Sequence, residues 1–364
     1  SIIGMKPDII WKCENNKAYI KNIYSKKNKD FVYQKEAPLV SLSKIIKKSQ
    51  IKFPDDLPPM SAGLIGYLGY ETIEMYENIP KRKSSVLILP DGFFIRPTIM
   101  AIFDNIKNEV ILASPLWYNE NCKISSSYKI KLNSLKKIIS DINSQIKPKF
   151  KNNLKNKSFL KPQSNINKKL FFTMVKKAKE YIFSGDIFQV VLSQRFNASY
   201  LLPAFELYRS LRSLNPSPFL FYLNFENLKN SSFALIGSSP EILVRLANNK
   251  VSIRPIAGTR PRGKNSLHDK KLKKELLSDP KELAEHLMLL DLGRNDVGRV
   301  SNPGTVKVTE KMIVEFYSHV MHIVSNVEGE VKKNSNIIDI LMSGFPAGTV
   351  SGAPKIRAME IIDE

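Results

Sequence analysis

Hydrophobic periodicity is clearest from Lys168 onward. Leu170, Phe171, Met174, Val175, Ala178, Tyr181 and Ile182 follow helical spacing, and Ser184-Gly185 supplies a stop. The pattern then changes period. In "IFQVVLSQRF" (187–196), strand alternation puts Phe188, Val190, Leu192 and Phe196 on one face and Gln189, Val191, Ser193 and Arg195 on the other. The second face is too polar for a core and suits a pocket wall. Further strands are expected at 219–225, 233–237, 241–246, 251–256, 305–309 and 312–328, and helices at 204–213, 269–277, 280–290, 335–342 and 353–364. Upstream, residues 1–118 alternate short strand-like runs with Gly/Pro turns, as in "AGLIGYLGYE" (62–71), "SSVLILPDGFFI" (84–95) and a hairpin about Asp104-Asn105. Mostly consecutive strands with few helices predict an α+β fold with largely antiparallel sheets. Three regions are expected: a β-rich 1–118, a Lys/Asn-rich connection at 119–165 with one helix near 129–142 and a mobile loop, and a main domain at 166–364.

Composition adds bounds. The 364 residues are 43% hydrophobic, enough for a sizeable core, and contain no apolar run of membrane-spanning length. Net charge is +22, which raises a polyanion partner as a reading from a different class. Its distribution argues otherwise. Residues 121–170 hold thirteen lysines against one acid, Asp141, which is +12 of the +22, without an arginine, an RNA-binding aromatic pattern or zinc ligands. A solvated segment is the plainer account, and neither nucleic acid nor membrane is expected as a partner. Two cysteines, Cys13 and Cys122, give no disulfide framework, so a cytoplasmic location fits. The chain begins without Met or a signal peptide and stops inside a helical pattern, so both ends are expected to be cut.

Four stretches could carry chemistry. "SDPKELAEHLMLLDLGRND" (278–296) opens with a cap and Pro280, and an apolar stripe of Leu283, Leu287 and Leu290 follows. It places Glu282 and Glu285 on one side of a helix. Acids there often only complement the dipole, and one helix supplies too few oxygens for a hard cation. Glu241 in "GSSPEILVR" is either a surface acid or a partly desolvated proton donor. His319 and His322, three apart in a strand-like run, should face opposite ways, and a lone inward His is more often a core residue than a catalyst. "SGFPAGTVSGAPKIRAME" (343–360) is a glycine-rich entry to a helix. It is not a nucleotide-binding P-loop, because Lys355 lacks the required glycines. A further turn, "RPIAGTRPRG" (254–263), can present backbone N–H groups to an anion.

Together with "GDIFQVVLSQRF", "NPSPFLFYL", "AEHLMLLDLGRNDVGRV" and "SHVMHIVSNVEG", these stretches resemble the chorismate-utilising enzymes, and within them the anthranilate synthase component I group. The motifs run in order from Gly185 to Glu364. The resemblance implies the fold of that family, large mostly antiparallel sheets in a sandwich with helices outside. It implies conversion of chorismate and ammonia to anthranilate and pyruvate in tryptophan biosynthesis. Glu241 would be the general acid for the departing C4 hydroxyl, and His322 would assist turnover. Glu285 would bind Mg²⁺, and Ala257, Gly258 and Thr259 would contact chorismate. Relatives that form a covalent adduct carry Lys where Ala257 stands, and relatives that activate water carry Lys where Gln189 stands. An amide has no useful pKa, so Gln189 with Ala257 implies direct attack by ammonia. Pro218, Phe219 and Leu220 would form part of a tryptophan effector pocket.

The chain has no Gly-x-Cys-x-Gly turn, so a separate glutamine amidotransferase subunit is implied as the ammonia source. The family pattern continues past Glu364 with further carboxylate and metal ligands, and before Ser1 with more of the effector pocket. The chain alone is therefore expected to be inactive, and the implied function belongs to the intact protein. The alternatives are an aminodeoxyisochorismate synthase that stops before pyruvate loss and, less well matched at Ala257, an aminodeoxychorismate synthase component I.

Overall fold

The computed structural model describes residues 1–25, 30–80, 87, 89–117, 124–144, 161–226 and 232–364. The chain forms two compact units, Ser1–Met75 with Val86–Lys157, and Tyr76–Ser85 with Ser158–Glu364. No helix among the described residues is long and apolar enough to cross a membrane.

The first unit is built on one antiparallel sheet. Strands β1 (Ile2–Glu14), β2 (Lys17–Asn22) and β3 (Val32–Gln34) precede helix α1 (Pro38–Lys48), and β4 (Ile65–Leu68), β5 (Gly92–Asp104) and β6 (Glu109–Ala113) follow. The sheet order is β3-β2-β1-β5-β4, with β6 also on β5. Trp11 on β1, Phe93 and Ile99 on β5, Leu42 on α1 and Ile73 are all fully buried, and Trp11 Nε1 donates to Ser41 Oγ of α1 at 3.3 Å. Helix α1 was not foreseen among strand-like runs, although Pro38 opens it and Leu39, Leu42 and Ile45 give helical spacing. Arg96 is held by both oxygens of Asp8 at 2.8 and 2.7 Å, with both side chains buried. The helix expected near 129–142 is α2 (Ile124–Asn143). The expected mobile loop falls largely on 145–160, outside the described residues.

The second unit continues with β7 (Gln163–Ser164), α3 (Lys168–Phe183), β8 (Gln189–Val190), β9 (Phe196–Asn197), α4 (Ala204–Leu214), β10 (Phe219–Glu226), β11 (Ser232–Ser239), β12 (Arg245–Ala247), β13 (Lys250–Ile253) and β14 (Ile256–Pro261). Helices α5 (Ser266–Ser278) and α6 (Pro280–Val300) follow, then β15 (Lys307–Phe316), β16 (Val320–Glu330), α7 (Ile337–Ser343), β17 (Gly352–Ala353) and α8 (Lys355–Asp363). Every strand pairing is antiparallel among the described residues, in keeping with the expected α+β class. The main sheet runs β12-β13-β16-β14, with β15 also on β16. Helix α6 covers one face of it. Leu290, Val297 and Val300 pack with Val251, Ile253 and Val327 in a closed apolar cluster.

Six sequence expectations fail here. Residues 187–196 do not form one strand. Only two short pieces pair, and Phe188, assigned to the apolar face, is 75% exposed. Residues 312–328 are not one strand but the second half of β15, a turn at 317–319, and β16; Tyr317 N–H donates to Val320 O to close the turn. His319 therefore sits in the turn and not on a strand face. Glu241 does not enter a strand, because β12 begins only at Arg245. In α6, Leu287 is 53% exposed, and Leu289 takes its expected place in the interior. That helix also extends to Val300, ten residues past its expected end.

Candidate active site

Strand β14 meets β16 with one residue too many. Ala257 pairs with Ile323 and Thr259 with His322, so Gly258 is a bulge. Its φ is +71°, a left-handed conformation that favours glycine. A Cβ at this position would stand 3.1 Å from Ile323 Cδ1 and 3.3 Å from Glu282 Oε2. The bulge re-aims the strand so that Thr259 Oγ1 lies 3.0 Å and Gly258 O 3.2 Å from His322 Nδ1. A carbonyl only accepts, so this geometry puts the imidazole proton on Nδ1 and leaves Nε2 as the basic nitrogen. The Tyr317 ring meets the imidazole edge-on at 5.5 Å. Its hydroxyl donates to Glu315, which with Glu310 pairs with Arg254. Ala257 is 8% exposed.

Glu241 joins this turn from the other side. Ser239 Oγ accepts its N–H at 3.3 Å, which fixes the backbone after β11. Its carboxylate accepts from the N–H of Ile256, the residue before Ala257, and from Thr349 Oγ1 at 3.0 Å. Burial is the largest influence on the carboxyl and pushes its pKa above the ordinary 4.5, against the pull of both hydrogen bonds. Glu241, Asp296, Gly348 and Thr349 share the wall of a cavity of about 30 Å³.

Gln189 is placed through its backbone. It pairs with Ala353, and Gly352 lies so close that a Cβ there would stand 2.1 Å from Gln189 O. The Gln189 Oε1 is buried without a partner. No hydrogen bond joins this side chain to Glu241, Glu285 or His322 among the described residues. Gln189 and Glu241 are nonetheless linked, because residues 347–353 touch both.

The two acids of α6 differ. Glu282 is committed to Arg260, which also holds Asp279 at 2.7 Å and Glu275 at 2.9 Å. Glu285 is half-buried and makes no hydrogen bond or ion pair among the described residues. No group of three or more His, Cys, Asp or Glu is placed to hold a metal ion among those residues. Mg²⁺ asks for near-octahedral oxygen coordination. One free carboxylate does not meet that.

Pro218 and Phe219 stand on the wall of a second cavity, of about 700 Å³, with Arg245, Arg254, Glu310 and Glu328; Ile256 and Tyr317 of the site above also line it. Leu220 is half-buried on β10, opposite Ser238, and is not on that wall. The sequence reading missed Thr349 and Tyr317. A Thr inside the glycine-rich "AGTVSGAP" was the available signal for the first, and nothing in the local pattern marked the second.

A half-buried acid, an imidazole and a bulged Gly-Thr pair thus gather at one antiparallel sheet. The sequence profile described as chorismate binding enzyme matches residues 6–364, and the chain belongs to that family. Within it, the chain is 47% identical over 364 residues to the anthranilate synthase component 1 of Cereibacter sphaeroides, which covers all of this chain and 72% of the relative. It is 42% identical over 349 residues to the component 1 of Aquifex aeolicus, covering 95% of this chain and 68% of that one. The crystal structure of anthranilate synthase component I from Streptococcus pneumoniae superposes with a TM-score of 0.84 at 35% identity, covering 100% of this chain and 76% of the other.

Proposed function

We propose that the intact protein is the large subunit of an anthranilate synthase. It takes chorismate and ammonia and releases anthranilate and pyruvate, within tryptophan biosynthesis. The observation that supports this most is the joining of Glu241 to the 256–259 turn, with His322 bound to the same turn.

In the first half-reaction ammonia attacks ring C2. Both ring double bonds shift, C1=C2 to C6=C1 and C5=C6 to C4=C5, the C4–O bond breaks, and Glu241 gives its proton so that the oxygen leaves as water, while the ammonium formed at C2 gives up a proton. In the second, the C2 proton is removed and the C3–O bond breaks, giving the aromatic ring and the enol of pyruvate. The basic Nε2 of His322 suits the removal of that proton. Ala257, Gly258 and Thr259 line the substrate, and Ala257 offers no amine to form an adduct. Gln189 cannot activate water and leaves ammonia as the attacking species. Glu285 is offered as one donor to Mg²⁺, which would neutralise the ring carboxylate.

The ammonia comes from glutamine through a partner amidotransferase subunit. Cys13 is no substitute, because burial pushes its thiol up to about 12 and keeps it protonated. The larger cavity suits an amino-acid effector such as tryptophan: Phe219 offers an aromatic wall, with carboxylates for the ammonium group and arginines for the carboxylate. A reducing cytoplasm is the compartment this chemistry fits.

Glu241→Gln tests the assignment in the intact protein supplied with chorismate, ammonium and Mg²⁺. The expected result is a kcat loss of about 10²–10⁴ with KM little changed. Because the raised carboxyl must be protonated to act, wild-type kcat should fall as pH rises through its pKa. Near-normal turnover by the variant would remove Glu241 from the role. Anthranilate fluorescence and pyruvate release are read together, since an enzyme that only forms aminodeoxyisochorismate releases no pyruvate.

A further inference from the structure

Lys355 Nζ bonds Asp296 Oδ2 at 2.7 Å, and each residue is 7% exposed. The pair joins the first turn of α8 to the C-terminal part of α6. A buried ion pair is a weak source of net stability, since well-packed apolar side chains of similar volume often do as well. This lysine is also poorly placed for its helix. It is the first residue of α8, at the positive end of the helix dipole, where a cation is disfavoured. Stability alone gives no reason for the arrangement.

What the pair fixes is the segment before it. Residues 347–354 lead into α8 and touch the Glu241 side chain and the backbone on both sides of Gln189. Thr349 donates to Glu241. Ser351 O and Ala353 O accept from Val191 and Phe188 N–H at 3.0 and 2.8 Å, on either side of Gln189. The segment also lies on α6, so closely that a Cβ at Gly348 would stand 2.3 Å from Leu292 Cδ2. Asp296 and Glu241 share one small cavity with Gly348 and Thr349.

We propose that the Lys355–Asp296 pair is a positioning device for the candidate general acid: it fastens the 347–354 segment to α6, so that Thr349 meets Glu241 and water is kept from that carboxyl. The inference rests on the reading of Glu241 above. Burial pushes the Asp296 carboxyl up and the Lys355 ammonium down, and each partner pulls the other back. The other charges facing the pair are Arg299, on α6, and Glu77, which Arg299 binds. Around Glu241 the facing groups are Thr349, the Ile256 N–H and the Tyr317 hydroxyl.

The test uses the intact protein with Asp296→Leu/Lys355→Met, which replaces both charges by apolar groups, and Asp296→Asn as a second variant that keeps the shape. Two quantities are read: the pH profile of kcat, and the titration of the Glu241 carboxyl by ¹³C NMR, assigned with Glu241→Gln. The expected result is a folded protein with KM within about 3-fold and kcat reduced about 10-fold or more, in line with a misplaced general acid. The alkaline limb of kcat and the Glu241 titration should both move to lower pH, because a loosened segment admits water. A wild-type titration of Glu241 in the folded variants overturns the proposal, as does a kcat loss that only tracks the folded fraction. If the wild-type protein makes no anthranilate, the proposed function fails, and the Glu241 titration still decides whether the pair positions that carboxyl.

Discussion

One methyl group at residue 258 would probe the bulge directly. Gly258→Ala must hold φ near +71° with a Cβ that meets Ile323 Cδ1 at 3.1 Å and Glu282 Oε2 at 3.3 Å. The left-handed conformation alone costs about 1–2 kcal/mol for a side-chain-bearing residue. The expected outcome is a lower denaturant midpoint by that amount together with a raised KM for chorismate, because the strand relaxes and carries Thr259 away from His322. An unchanged KM with lowered stability would mean the bulge serves the fold and not the substrate. At this scale the sequence was informative about residue type. A carboxylate after Ser-Ser-Pro, a Gly-Thr turn and a histidine were all readable as candidates. It was silent on partners: the hydrogen bond from Thr349 spans 108 positions to Glu241, and no local pattern encodes such a contact.

Helix α6 shows what an element adds. Its buried line runs through His286, Leu290, Gly293, Val297 and Val300, a spacing that places a polar imidazole in the core. His286 is fully buried, with Nε2 2.7 Å from Ser325 Oγ, and that same oxygen accepts the Met312 N–H at 2.9 Å. Nδ1 is buried with no partner among the described residues, so this one hydroxyl is all that faces the ring and nothing there favours a charged imidazole. Desolvation pushes its pKa from 6.5 down to about 4. A histidine whose folded pKa is depressed favours the unfolded chain when it is protonated. Its contribution is whole above pH 6.5 and is lost as pH falls from 6.5 through about 4, by about 3 kcal/mol at most. Denaturant midpoints across that window should show this slope in the wild type, and His286→Leu should flatten it. A slope retained in the variant would assign the acid sensitivity to other groups. The helix was legible in its cap, its proline and its period. The errors lie where two elements meet, since 312–328 carries one apolar alternation through what is really a hairpin, and only the pairing of β15 with β16 reveals the turn. The piece at 187–196 alternates like a strand but finds sheet partners for only two short stretches, at 189–190 and 196–197.

At the scale of the whole molecule the question is what a charge of +22 does. The two kinds of basic residue are used differently. Arg96, Arg254, Arg260, Arg262, Arg299 and Arg357 are each held by carboxylates, and Arg96, Arg262, Arg299 and Arg357 also lie over aromatic rings. Arginine is the side chain that reads base edges and grips phosphate in two-point fashion, and here it is spent internally. Lys129, Lys136 and Lys137 on α2 and Lys270, Lys271 and Lys274 on α5 are exposed and remain as outward point charges. Such charges attract any polyanion through counterion release, without reading sequence, and the attraction falls steeply as salt rises. The expected behaviour is therefore weak, sequence-independent retention of a 20-base-pair duplex at low salt, lost by about 0.15 M, when followed by fluorescence anisotropy. Chorismate turnover by the intact protein should not respond to added duplex at that ionic strength, since the 256–259 turn, Glu241 and His322 owe nothing to those lysines. Duplex binding that survives at 0.15 M salt, or that competes with chorismate, would point instead to a built polyanion site and would detach the basic surface from the plain role of solvation.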